Sequence, residues 1–77
     1  MITINLSAWE TMTSLLAWQA AAESGDFFTL NRLMAQVITA WGYEGNPQSE
    51  NSYAQLSPAD WTACVKEVSA AIGAMFR

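Results

Sequence analysis

Seventy-seven residues make one domain, residues 1–77, near the lower limit of what a single hydrophobic core sustains, and the lone cysteine excludes an internal disulfide. Without a histidine, a closed zinc site is nearly excluded and a histidine-based triad is impossible. Seven acids against three scattered bases, Arg32, Lys66 and Arg77, give a net charge of −4 and no basic patch for direct nucleic-acid binding.

In chain order, Ile2, Ile4 and Leu6 alternate with Thr3 and Asn5, the period of a short strand. Three helices leave such a strand without an obvious partner, so it lies extended over them or pairs with another copy's edge. The opening residues carry no positive segment and no long apolar run, so no signal peptide is expected. The spacing Ser7-Ala8-Trp9-Glu10 fits a capping box, predicting a first helix over about residues 8–23. Its apolar residues are Trp9, Met12, Leu15 and Leu16, followed by a run of alanines, and Gly25 suits a left-handed C-terminal position. Its uncharged run, Thr11 to Ala22, is too short and too polar to span a bilayer.

Asp26 caps a second helix predicted over about residues 27–41 and ended by Gly42. Phe27, Leu30, Leu33, Met34, Val37, Ile38 and Trp41 form its apolar stripe at helical spacing. Residues 42–57 then read as a polar loop, long for a helix connection, with Tyr43 and Tyr53 as its aromatic pins. Ser57-Pro58-Ala59-Asp60 opens a third helix over about residues 58–76, with serine at the cap, proline at the first helical position and an acid in the first turn. Trp61, Cys64, Val65, Val68, Ile72, Met75 and Phe76 are its stripe. The expected fold is therefore all-α: a small three-helix bundle with an extended N-terminal segment and a long loop between helices two and three.

No catalytic, cofactor or metal motif accompanies these elements. Cys64 sits on an apolar stripe with no imidazole to activate it, which favours a buried structural thiol. Glu10, Glu23, Asp26 and Asp60 fall at predicted helix ends, where capping and the helix dipole account for them. Gly42-Tyr43-Glu44-Gly45 is followed by neither a lysine nor a helix start, so it is no phosphate loop. Glu44, Asn46, Glu50 and Asn51 lack calcium-loop spacing. The sequence thus points away from an enzyme, a small-molecule substrate or a cofactor, and toward a protein partner.

Binding is suggested instead by surplus apolar surface, since 52% of the residues are hydrophobic and only 13% charged. Trp18 lies about 200° around the first helix from Leu16, and Phe28 about 100° from the stripe residue Phe27. Both are therefore expected at the surface, where aromatics anchor interfaces. Tyr43, Tyr53, Ile2 and Ile4 are the further candidate contacts, the last two through a strand edge that would favour a homo-oligomer. A free thiol suits a reducing, cytoplasmic setting.

The stretch Gly25-Asp26-Phe27-Phe28, then Leu33-Met34-Ala35-Gln36-Val37-Ile38-Thr39-Ala40-Trp41, a polar loop with Gly and Pro, and Leu56-Ser57-Pro58-Ala59-Asp60-Trp61 before a final helix, resembles the small tail assembly chaperones of long-tailed bacteriophages. The resemblance covers roughly residues 23–76 and lies in layout and hydrophobic positions. It implies a self-associating, non-enzymatic protein that coats an aggregation-prone tape-measure client in the host cytoplasm. Two other roles fit the same residues: a small phage- or mobile-element-encoded inhibitor of a host defence complex, or a structural subunit of a larger assembly.

Overall fold

A computed structural model describes residues 2–76, so the base Arg77 and Met1 lie outside the described residues. The elements are β1 (Thr3–Ile4), a 3-10 turn (Leu6–Ala8), α1 (Met12–Ser24), α2 (Phe27–Val37), β2 (Ile38–Ala40), α3 (Glu50–Ala54) and α4 (Pro58–Met75). The architecture is mostly helical but is not the all-α three-helix bundle expected from the pattern. The described residues form four helices and a small two-stranded sheet.

The sheet supplies the partner that the N-terminal alternation lacked. β1 pairs antiparallel with β2, Thr3 opposite Ala40 and Ile4 opposite Ile38, with an irregularity in register between Thr3 and Ile4. The Asn5 amide extends the pairing by donating to the Val37 carbonyl at 2.8 Å. The second helix accordingly stops at Val37 and not at Trp41, and Gly42 does not end it. Val37, Ile38 and Thr39 are β-branched in succession, a run that loses side-chain freedom in a helix and fits a pleated strand. Given a strand to pair with, that local preference wins over the helical period.

The first helix is also shorter than the capping box implies. Ser7 does not cap it, because Asn5 Oδ1 accepts from both the amide and the hydroxyl of Ser7 within the 3-10 turn. The backbone stays extended at Trp9 and again at Thr11, whose hydroxyl accepts from the Thr13 amide and starts α1. At the other end Gly25 takes a left-handed φ of 71°, and the amides of Gly25 and Asp26 both return to the Ala21 carbonyl. Only glycine reaches that conformation without steric cost, so the turn into α2 is set locally.

Asp26 caps α2 as expected, its carboxylate accepting from the Thr29 amide at 3.3 Å and the Thr29 hydroxyl at 2.6 Å. Those bonds, the hydroxyl's first, hold its carboxyl below the usual range. Any stability this cap contributes is present above the ordinary carboxylate range and lost as pH falls through the lowered value. Ser57 caps α4 in the same way, accepting from the Asp60 amide at 3.2 Å, with Pro58 in the first turn.

α2 is the central element: α1, the 3-10 turn, α3 and α4 all pack against it. Its Leu30, Leu33, Met34, Ala35 and Val37 are buried, and Ile38 continues the face into β2. Trp18 and Ala21 from α1, Tyr53 from α3, and Cys64 and Val68 from α4 complete the core. Ile2, Ile4, Leu6, Trp9, Trp41, Tyr43 and Trp61 pack against its edge, partly buried. Phe27, placed on the buried stripe by its spacing, is instead exposed at the start of α2, its ring edge-on to Trp61 at 5.3 Å.

Residues 42–57 are not an open loop. A turn at Asn46–Ser49 leads into α3, whose Tyr53 is buried and donates its hydroxyl to the Pro47 carbonyl at 2.5 Å. Trp41 packs against Tyr43 and Tyr53 at 5.5 and 4.8 Å, and its indole N–H donates to the Gly45 carbonyl at 2.9 Å. The segment is thus fastened to the core by its own aromatics.

Candidate interaction groove

α1 and α4 each pack on α2 but not closely on one another, and an apolar groove lies between them. Met12, Leu15, Leu16, Gln19, Ala22 and Glu23 line one wall at three- and four-residue steps along α1. Ser69 and Ile72 of α4 and Phe76 just past its end form the other, with Trp18 between. The groove encloses about 560 Å³ and is largely open to solvent. Past Leu15 it continues into a smaller depression of about 200 Å³ bounded by Leu6, Trp9, Glu10 and Met75.

The walls are unusually apolar for an open surface. Met12 and Leu16 are each 57% exposed, Met75 58% and Phe76 66%. Met12, Leu16 and Phe76 line the groove and Met75 its smaller extension, a grouping that separates them from the scattered exposed hydrophobes that any protein carries. Small residues hold the groove open: Ala22 on one wall and Ser69 on the other leave space that larger side chains would fill. The Trp9 indole N–H, beside the smaller depression, is buried and meets no acceptor among the described residues.

Of the six residues singled out from the sequence, this surface contains one, in a role opposite to the expected one. Trp18 is not a surface aromatic; it is 4% exposed, tilted against Trp9 at 6.0 Å, and forms the floor of the groove. Phe28 is 87% exposed, at the start of α2 and away from the groove. Tyr53 is buried and Tyr43 half-buried, and both fasten the 42–57 segment. Ile2 and Ile4 pack on the core, Ile4 within an intramolecular strand pair. The spacing of Met12, Leu16, Met75 and Phe76 places them on core stripes, which is correct in period and wrong in partner: among the described residues each stays more than half exposed.

A second, shallower depression of about 480 Å³ lies between α2, α3 and α4, lined by Phe27, Asn31, Leu56, Pro58 and Trp61 among others. Its polar centre is already satisfied, since the Trp61 indole N–H donates to Asn31 Oδ1 at 2.6 Å.

Among the described residues no three His, Cys, Asp or Glu side chains converge on a common point. Cys64 is fully buried, and burial pushes its thiol up to about 11, with Asp60 and Glu67 adding to the effect. A thiol so placed is a poor nucleophile. Iodoacetamide at pH 8 is expected to leave Cys64 unmodified in the folded protein and to alkylate it fully in denaturant, as read by intact mass. Rapid native-state labelling would contradict the burial. No helix among the described residues is long and apolar enough to cross a membrane. Compared with family models, curated proteins and solved structures, the chain matches none.

Proposed function

We propose that this chain is a non-enzymatic protein-binding module of the tail-assembly-chaperone kind, acting in the host cytoplasm. The α1/α4 groove receives an apolar segment of an aggregation-prone tape-measure client, and the chain also self-associates. The observation that carries this reading is the grouping of exposed Met12, Leu16, Met75 and Phe76 along the groove and its smaller extension. Apolar side chains held at a water interface gain free energy when covered, at about 25 cal/mol per Å². Methionine adds adaptability, because its unbranched side chain refits to irregular partners. Phe28 supplies a separate exposed contact for association between copies, away from the client groove.

The test is co-expression with a tape-measure fragment that aggregates alone, followed by size-exclusion chromatography with light scattering. The wild-type chain is expected to keep the fragment soluble in a defined complex. Leu16→Gln, a change at an exposed position, is expected to retain the circular dichroism spectrum and lose most of the complex. A folded wild-type chain that leaves the fragment insoluble sinks the chaperone reading.

A further inference from the structure

We infer that the occupant of the α1/α4 groove is an amphipathic helix of about three turns whose apolar stripe is flanked by lysine or arginine. This rests on the groove being the binding face, as proposed above, and specifies the chemistry of what binds there.

Length and spacing give the shape. The α1 wall runs from Met12 to Glu23, about 16 Å at a rise of 1.5 Å per residue. That is three helical turns, and its ridges recur at three- and four-residue steps. A helix presenting anchors at i, i+3, i+4 and i+7 is the partner that such a groove accommodates.

Charge selects the flanks. Among the described residues, the charged ones lining the groove and its extension are Glu23 at one end and Glu10 at the other. Arg32 and Lys66 line neither concavity, and Arg77 lies outside the described residues. A second copy docking groove to groove would bring carboxylates of one sign together, which disfavours it. Four side chains a little over half exposed present roughly 400–500 Å² of apolar surface, enough to cover one face of a helix. A basic-flanked helix covers that surface and complements the charge at its ends.

Two labelled 15-residue helical peptides with the same leucine stripe, one flanked by lysine and the other by glutamate, provide the test by fluorescence anisotropy. At 50 mM salt the lysine peptide is expected to bind at least about tenfold more tightly, and the ratio to shrink severalfold at 500 mM as screening sets in. Glu10→Gln/Glu23→Gln should remove most of the preference. Glu44→Gln/Glu50→Gln, which removes the same charge from exposed positions that line neither concavity, should leave it unchanged. Leu16→Gln should weaken both peptides.

Equal, Leu16-dependent binding of the two peptides would overturn the basic-flank inference while leaving the groove as a binding face. Binding that ignores Leu16→Gln, or no binding of either peptide, would remove the groove reading itself. Self-association abolished by Leu16→Gln would make a second copy the occupant and overturn the inference.

Discussion

Trp18→Ala is expected to destabilise the protein by about 3–5 kcal/mol, because it empties the space of a buried tryptophan in the core. Domains of this size have only about 5–10 kcal/mol of total stability, so the variant should be partly unfolded at 37 °C. Each kcal/mol moves the midpoint by about 4–8 °C in a domain this short, and thermal melts followed by circular dichroism will read the shift. Phe28→Ala, at 87% exposure, should stay within about 0.5 kcal/mol of wild type. The pair of variants separates the two aromatics that the sequence treated alike. A Trp18→Ala protein of normal stability that merely failed to bind its partner would return Trp18 to the surface role its spacing suggested.

The second large effect belongs to Tyr53. It is buried, packs on Trp41 and donates its hydroxyl to the Pro47 carbonyl, so one side chain ties α3 and the preceding turn to α2. Tyr53→Ala is expected to cost about 3–5 kcal/mol and to release residues 42–57 to limited proteolysis. Tyr53→Phe keeps the ring and loses only the part-buried hydrogen bond to Pro47, at about 1 kcal/mol. The two variants also differ in alkali. Burial raises the Tyr53 hydroxyl above its ordinary value of 10.0, so the unfolded chain releases this proton before the folded one does. Stability carried by the neutral phenol is therefore complete below pH 10 and declines as pH rises beyond it. Tyr53→Phe should make the alkaline decline in urea titrations shallower and leave the part carried by the buried Cys64 thiol, whose value is raised from 9.0 to about 11. An unchanged alkaline limb would show that Tyr53 carries none of it.

Much of the helical frame was legible because it is encoded locally. Gly25, Asp26, Ser57 and Pro58 each act through atoms within a few residues, and each stands where its chemistry predicted. The α2 stripe was legible for a different reason: large apolar residues alternate there with Asn31, Arg32 and Gln36, so the period has direction. α1 gives no such direction. Ala20, Ala21 and Ala22 are equally small on every side, and Trp18 turns toward α2 beside Ala21 while Leu16 is left out. Which apolar face wins is decided by the neighbour and not by the helix. The strand pair depends on residues more than thirty positions apart, Thr3 and Ala40, and that information is absent from any local window. α3 has five residues and a serine cap that makes no side-chain hydrogen bond, too weak a signal to rise above a polar loop. The groove was illegible in principle, since periodicity reports which residues are apolar and not which of them go uncovered.

The direct passage from α2 into β2, with no loop between Val37 and Ile38, has a consequence for how the chain assembles. The α1–α2 hairpin is joined by a two-residue turn and can form from local contacts at small entropic cost. β1 can dock only after that, because its partner strand has a fixed position only once α2 is in place. Amide exchange should therefore follow the reverse order. The Asn5 amide, bonded to Val37, is expected to open with the fraying of β1 at low free energy, while the amides of Met34 and Val37 exchange only with global unfolding. The shortest element among the described residues would then open and close on a central helix that stays intact.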